Sequence, residues 1–146
     1  MSMLTASGVA WVLSGIVIGW SFARRDWRSM SPPGFFTRLR TWDRRGLYER
    51  LLLVRTWKDR LPEAGTWFGG LSKRRLPAFR EGGRARFAAE SLRAERVHLT
   101  YLLVIPTTVI WSRDWMILGN VAFGLVVNVP CIVVARYNRV RLADLA

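Results

Sequence analysis

The chain's only histidine, His98, stands in a short run of residues that could perform acid–base chemistry. Glu95 precedes it by three positions and Glu90 by eight. On a helix, His98 projects about 60° from Glu95 and about 80° from Glu90, so all three share one face. A carboxylate beside an imidazole orients the ring and stabilises its protonated form, which suits a general base acting on a hydroxyl. The alternative is a polar helix end that enters a membrane without a catalytic role.

A second polar position, Asn128, stands two residues before Pro130 within an uncharged stretch. An amide inside a membrane-spanning helix is costly unless it has a partner. Proline frees a backbone carbonyl and bends the helix. This polar position either binds a ligand or forms a hydrogen bond with a neighbouring helix, and both interpretations stay open.

Arginines close to these positions are candidate ligands of a phosphate or an oxyanion, because the guanidinium group binds phosphate with two parallel hydrogen bonds. Basic residues after a last helix are also the ordinary signal of a cytosolic end. A basic, aromatic turn at Trp57 and Lys58 carries little information by itself, and these two residues are candidates only together with the other blocks described below. The candidate substrate-binding residues are Trp57, Lys58, Arg93, Asn128, Arg136, Tyr137, Asn138, Arg139 and Arg141.

The residue inventory disfavours several other chemistries. One histidine and one cysteine, Cys131, cannot build a zinc site of the usual kind, and Cys131 lies in an apolar stretch where packing is the simpler role. A di-iron bundle needs two Glu-x-x-His pairs, and the chain has one. We therefore expect no bound metal or cofactor.

Charge and hydropathy are segregated along the 146 residues, although the net charge is +13 and 51% of the residues are hydrophobic. Such basicity alone would suggest nucleic acid, but long uncharged stretches indicate a membrane instead. We predict an all-α integral membrane protein of about three transmembrane helices plus a cytosolic-side interfacial amphipathic helix. The predicted parts of this single domain, 1–146, are a first span at 3–23, a basic cytosolic or interfacial segment at 24–97, further spans at 97–112 and 115–135, and a cytosolic tail at 136–146.

The distribution of positive charge predicts the orientation. Residues 24–97 hold 19 of the 23 Lys and Arg residues, and such segments stay on the cytosolic side. The N-terminus is then outside, the C-terminus is cytosolic, and the protein is a multi-pass protein of the cell membrane. The first apolar stretch lacks the basic start of a cleaved signal peptide, so we expect a retained anchor.

The segment from Phe35 to Leu61 mixes large apolar residues with arginine, and Phe35, Leu39 and Trp42 recur at helical spacing. A helix with an aromatic and a basic face lies in the membrane interface; the alternative is a solvated basic helix packed on a core. The short basic run 73–75 suits anionic phospholipid. In the first span, Gly15 and Gly19 form a GxxxG pattern that serves packing within the chain or dimerisation.

Four ordered blocks resemble those of the glycosyl-4,4'-diaponeurosporenoate acyltransferase family, small membrane enzymes of the last step of staphyloxanthin-type carotenoid synthesis. Leu99 stands where that family commonly has tryptophan. The blocks are Tyr48-Glu49-Arg50 with Val54-Arg55-x-Trp57-Lys58-Asp59-x-Leu61-Pro62, Glu90-x-x-Arg93-Ala94-Glu95-x-x-His98, Asn128-x-Pro130-Cys131, and Arg136-Tyr137-Asn138-Arg139-x-Arg141-Leu142.

The resemblance implies transfer of a fatty acyl group from an acyl thioester, acyl-CoA or acyl carrier protein, to a sugar hydroxyl of a membrane glycolipid. His98 would remove the hydroxyl proton, Glu95 or Glu90 would orient its ring, and arginines would bind donor phosphates or the oxyanion. Two other functions stay open: a non-enzymatic accessory subunit of a larger membrane complex, and a lipid-surface binding protein.

The hairpin of the second and third spans predicts where the site lies. Its tight turn, Ser112 to Asp114, makes the two helices antiparallel neighbours. His98 lies fourteen residues before Ser112, and Asn128 lies fourteen after Asp114. The two side chains should therefore sit at similar depth, with Arg136 about 12 Å further toward the cytosol. The residues expected to converge there are Glu90, Arg93, Glu95, His98, Asn128, Arg136 and Arg139.

Overall fold

Helices and irregular turns, without any strand, form residues 2–30, 32–62 and 83–145, which are the part of the chain that this computed structural model describes. The all-α prediction is confirmed for these residues, and the basic run 73–75 lies outside them. Short 3-10 turns occur at Trp27–Met30 and Lys58–Arg60, and a π turn at Leu47–Leu51. The α-helices are α1 Met3–Ala23, α2 Val54–Trp57, α3 Gly83–Leu102, α4 Val104–Val109 and α5 Trp115–Ala143.

Two of the described helices, α1 and α5, are long and apolar enough to cross a membrane. Helix α1 begins where the Ser2 hydroxyl accepts a hydrogen bond from the Thr5 amide at 3.2 Å, and it ends at the first charged residues. Most of its large apolar side chains are exposed. An outward-facing apolar surface of this kind suits a lipid environment, because water would not favour it.

The third expected span, 97–112, is divided between two helices. Helix α3 begins at Gly83, runs through the polar residues before position 97, and ends at Leu102; α4 follows after the turn at Leu103. Pro106 explains the break, because proline has no N–H to donate to the Leu102 carbonyl four residues earlier. The predicted continuous helix over 97–112 is therefore replaced by a broken one.

Helix α5 is longer than the predicted span 115–135. It continues for eight further residues through the basic run to Ala143, so residues 136–143 are helical. Its 29 residues extend about 43 Å, which exceeds the roughly 30 Å of a hydrocarbon core. The turn before α5 includes Asp114, whose φ of 50° lies in the left-handed region.

The segment from Phe35 to Leu61 does not form the predicted amphipathic helix. Leu53 has a left-handed backbone conformation, φ 48° and ψ 36°, through which an α-helix cannot continue. Side chains such as Asp43, which accepts from the Arg40 amide at 2.6 Å, satisfy local backbone groups in place of helical hydrogen bonds. The aromatic residues Phe35, Phe36 and Trp42 are nevertheless exposed, at 74%, 77% and 65%.

Close helix contacts explain two glycines. A Cβ on Gly124 of α5 would lie 2.6 Å from the Ile105 side chain and 2.8 Å from that of Trp11, so only glycine fits where α1, α4 and α5 meet. A Cβ on Gly15 would lie 3.0 Å from the Tyr101 hydroxyl. Gly15 of the GxxxG pattern therefore serves packing within the chain.

Candidate active site

The imidazole of His98 on α3 meets the amide of Asn128 on α5, with 2.9 Å between Nδ1 and Oδ1. Asn128 is fully buried, and its Nδ2 donates to the Gly124 carbonyl at 2.9 Å. Because that bond directs the amide nitrogen to the backbone, the amide oxygen faces the ring. This contact places a hydrogen on Nδ1, and in the neutral ring the lone pair is then on Nε2.

This pairing agrees with the depth predicted by counting residues on either side of the hairpin turn. Helix α3 packs along α5, and the two run in opposite directions. Asn128 holds its orientation through its own helix, since a side chain can bond the carbonyl four residues earlier. The structure thus brings together the two polar residues that the sequence analysis selected on separate helices.

The carboxylates near His98 pair with arginines. Glu95 is fully buried; its Oε2 accepts from Nη1 of Arg139, and its Oε1 lies 3.4 Å from Nε of Arg136. Glu90 pairs with Arg93, three residues later, at 3.3 Å. The sequence analysis expected a carboxylate to orient the ring, whereas the partner that the structure gives to Nδ1 is the amide of Asn128.

Arg136 and Arg139 also clamp the segment that precedes α2. Arg139 donates to the Thr37 carbonyl at 2.7 Å, and Arg136 donates to the Arg38 carbonyl at 2.9 Å. Asp43 lies 3.5 Å from Arg136 and accepts a hydrogen bond from the Tyr48 hydroxyl. Much of the hydrogen-bonding capacity expected to serve a phosphate is therefore used inside the protein.

The basic run continues on the other side of α5. Tyr137, nine residues after Asn128, lies on the opposite helix face. Its hydroxyl donates to Glu49 at 2.7 Å, and the Arg141 guanidinium lies 5.4 Å from its ring centre. Hydrogen bonds from Arg45 and Tyr137 lower the pKa of Glu49. Tyr137 and Arg141 thus point away from the His98–Asn128 pair.

Trp57 and Lys58 belong to the same side as Tyr137. Trp57 packs against the core cluster that includes Tyr48 and Tyr137, and its indole N–H donates to the Leu52 carbonyl at 2.9 Å. Lys58 forms an ion pair with the adjacent Asp59 at 2.6 Å. The structure does not bring Trp57 and Lys58 into the cluster around Glu95.

Two fully buried residues, Ser91 and Asn138, have polar side-chain atoms without a hydrogen-bond partner among the described residues. For Asn138, both the amide oxygen and the amide nitrogen are unpaired. The sequence analysis missed Ser91, although a spacing of seven residues places it two turns from His98 on nearly the same face. Thr37 and Asp43 were also missed, because no local pattern connects them to α5.

Within the described residues, no group of three or more His, Cys, Asp or Glu side chains could hold a metal ion. The titratable groups are instead arranged as a buried network of ion pairs beside one imidazole. A histidine whose tautomer is held by a buried amide can accept a proton from a hydroxyl at Nε2.

The described residues define a small helical protein with two helices apolar enough to cross a membrane and a partly buried histidine–asparagine pair. Residues 32–146 match the glycosyl-4,4'-diaponeurosporenoate acyltransferase family. The chain belongs to that family, as the sequence blocks indicated.

One relative carries the same name: a glycosyl-4,4'-diaponeurosporenoate acyltransferase of Staphylococcus haemolyticus (strain JCSC1435). It is 33% identical over 110 residues, which cover 73% of this chain. The match spans 63% of the relative's length. No solved structure matches the chain.

Proposed function

We propose that this protein is a membrane acyltransferase that moves a fatty acyl group from an acyl thioester to a sugar hydroxyl of a membrane glycolipid. The observation that carries the proposal is the hydrogen bond between His98 Nδ1 and Asn128, which holds the ring in the tautomer whose Nε2 is basic. Family membership supports the reaction type, since the matched family and relative are named for acyl transfer to a glycosyl carotenoid. The acceptor is then a glycosylated apolar lipid, and the donor is acyl-CoA or acyl carrier protein.

The reaction proceeds by direct attack. The sugar hydroxyl oxygen attacks the thioester carbonyl carbon while Nε2 of His98 takes the hydroxyl proton. The tetrahedral intermediate expels the thiolate, and the imidazolium returns the proton to the leaving sulfur. An ester and a thiol result, and His98 is neutral again. No acyl-enzyme is needed, and Cys131 takes no part.

Asn128 acts as a positioning residue in this mechanism. Its amide oxygen accepts the Nδ1 hydrogen, so the other tautomer, with a protonated Nε2 that could not act as a base, is disfavoured. Glu95 acts at a distance: it forms ion pairs with Arg136 and Arg139 and so holds α5 against α3 beside the imidazole. In this proposal, Arg93 and Glu90 form an ion pair that stabilises α3, and neither takes part in the proton transfer at His98.

The proposed experiment is acyl transfer by membranes that contain the full chain, followed by lipid mass spectrometry. His98→Ala lowers the rate by roughly 10²- to 10⁴-fold, the usual contribution of a general base. Asn128→Ala lowers it by roughly 10²-fold, because a misplaced ring loses its alignment. A control is Thr107→Val, whose exposed hydroxyl bonds only its own turn. Full activity of His98→Ala at normal expression would reject the mechanism.

The same assay separates the enzyme from an accessory subunit. An accessory subunit that docks through α1 would tolerate His98→Ala. It would instead depend on the GxxxG pattern, but Gly15 already packs against Tyr101 within the chain. This contact argues against docking through the GxxxG pattern.

We further propose that α1, the α3–α4 pair and α5 cross the cell membrane, with the N-terminus outside and the C-terminus cytosolic. The exposed aromatics of residues 35–42 and the arginines beside them then lie among anionic phospholipid headgroups; the Arg40 guanidinium already lies 4.8 Å from the Phe35 ring centre. A reporter fused after Ala146 should read cytosolic. In a variant that retains only Trp42, lipid-borne quenchers at headgroup depth should quench its fluorescence. An external C-terminus, or a Trp42 open only to aqueous quenchers, would contradict this placement.

A further inference from the structure

Trp11 of α1 contacts both helices that carry the histidine–asparagine pair, although α1 lies outside the residues 32–146 that match the family. Its indole N–H donates to Oδ1 of Asn120 on α5 at 2.9 Å, and its carbonyl accepts from the Tyr101 hydroxyl on α3. Trp11 itself is buried. One residue of α1 therefore connects α3 to α5.

The indole ring of Trp11 also lies against the backbone that orients Asn128. A Cβ on Gly124 would lie 2.8 Å from this ring and 2.6 Å from the Ile105 side chain, so the ring packs directly on the glycine. The Gly124 carbonyl accepts the hydrogen bond from Nδ2 of Asn128, and the amide oxygen meets Nδ1 of His98. One packing contact and two hydrogen bonds thus separate Trp11 from the imidazole.

The contacts of Trp11 lie about one helical turn from the pair on each helix. Tyr101 follows His98 by three residues on α3, and Gly124 precedes Asn128 by four on α5, which corresponds to about 4.5 and 6 Å along the axes. Tyr101 also meets the Trp11 ring edge-on, with 5.2 Å between ring centres. Because interiors are close-packed, a change in the volume or bonding of Trp11 shifts α3 relative to α5.

We propose that Trp11 is a positioning residue for the candidate active site, because it fixes the relative position of α3 and α5 at which the Asn128 amide meets the imidazole. The inference rests on the proposed function and adds α1 to the parts of the chain on which the rate depends. Trp11 acts through Gly124 and Asn128 on the orientation of the base. Its loss should therefore lower kcat and change KM little, since the affected contact serves the proton transfer.

The first test measures acyl transfer by the full chain in nanodiscs. Gly124→Ala adds the Cβ that has no room and should lower kcat by roughly 10²-fold. Trp11→Phe removes the indole N–H and part of the ring and should lower kcat by roughly 10-fold. It removes atoms and adds none, so it keeps the test possible if Gly124→Ala does not fold.

Each variant has a matched control on its own helix. A Cβ on Gly119 of α5 meets nothing within 4 Å, and Trp20 of α1 is 51% exposed. Gly119→Ala and Trp20→Phe repeat the two changes away from the contact between α1, α3 and α5, and both should keep the wild-type kcat.

The second test observes the imidazole directly, because His98 is the only histidine of the chain. Histidine labelled with an NMR-active nitrogen isotope shows which ring nitrogen carries the hydrogen when the ring is neutral. The wild type should carry it on Nδ1. Gly124→Ala and Trp11→Phe should populate the other tautomer, because the hydrogen bond to Asn128 selects the first.

A double variant tests whether Trp11 acts through Asn128. Trp11→Phe combined with Asn128→Ala should lower kcat no further than Asn128→Ala alone, since both changes affect one contact. Additive losses would overturn the inference, and so would a wild-type tautomer and kcat in both Trp11→Phe and Gly124→Ala, or an equal loss in the controls. If the tautomer responds to Trp11→Phe but the wild type transfers no acyl group, the proposed reaction fails while the positioning of the imidazole stands.

Discussion

Two buried polar clusters lie at opposite ends of α5, and they differ in how completely they are hydrogen-bonded. The turn cluster, next to the α4–α5 turn, consists of Ser7, Trp11, Trp111, Ser112 and Asn120. The charged cluster, toward the C-terminal end of α5, consists of Asp43, Ser91, Glu95, Arg136, Asn138 and Arg139. Both join α5 to other parts of the chain.

The turn cluster is neutral and hydrogen-bonded throughout. Asn120 accepts from the Trp11 indole at 2.9 Å and donates to the hydroxyls of Ser112 at 3.0 Å and Ser7 at 3.2 Å. Ser7 also accepts from the Trp111 indole at 3.2 Å. Such a cluster ties α1 to the α4–α5 hairpin, and each of its side chains has a hydrogen-bond partner within the chain.

The charged cluster combines strong pairs with unpaired atoms. The ion pairs between Glu95 and two arginines connect α3 to α5, and the arginines then reach the backbone at Thr37 and Arg38. Beside them, Ser91 and the Asn138 amide lack partners among the described residues. The comparison teaches that two buried polar clusters on one helix can differ in how fully the chain satisfies their hydrogen bonds, and unpaired buried atoms call for a partner.

The largest expected effect is that of removing the central carboxylate. Glu95→Ala leaves the largely buried guanidinium of Arg139 without its counter-charge and Arg136 with Asp43 alone, and it should lower the free energy of unfolding by about 3–5 kcal/mol. The measurement is reversible unfolding in detergent. Asp26→Ala is the control, since Asp26 pairs with Arg28 at 3.6 Å on the exposed surface and should change stability little. Equal effects of the two variants would remove the distinction between the charged cluster and an ordinary surface pair.

A smaller effect is expected in the turn cluster. Asn120→Leu leaves the Trp11 indole and the Ser112 hydroxyl without this partner, while Ser7 keeps Trp111, and it should lower the free energy of unfolding by about 1–3 kcal/mol. Acyl transfer at a permissive temperature should keep its KM, because the cluster lies near the α4–α5 turn. A large rise in KM would instead show that this end of α5 also contacts the substrate.

Part of the site was predictable because it depends on counting along helices. Asn128 and His98 lie at equal distances from the hairpin turn, so their contact followed from the helical rise and a short connection. The role of Glu95 was not predictable, since its arginine partners lie 41 and 44 residues later on another helix. Local spacing favoured His98 as its neighbour, but the stronger charge attraction of Arg136 and Arg139 draws the carboxylate to α5.

In the segment from Phe35 to Leu61, the local sequence pattern predicts a structure that the chain does not adopt. Its apolar spacing indicates a helix, yet the backbone turns repeatedly, with Leu53 in the left-handed region. The reason is tertiary: arginines of α5 bind the carbonyls of Thr37 and Arg38, which a helix would use internally. Hydrogen bonds from a distant helix therefore override local helical propensity.

The sequence by itself determined the all-helical class, the segregation of charge from the apolar helices, the family, and the pairing of His98 with Asn128. These properties depend on composition, short-range periodicity and ordered local blocks. Only the tertiary structure decided that Glu95 holds α5 through two arginines, that the basic run stays helical to Ala143, and that Ser91 and Asn138 lack partners among the described residues. Each of these depends on which atoms of distant segments meet in space, and hydrogen bonds and ion pairs act over a few ångströms only.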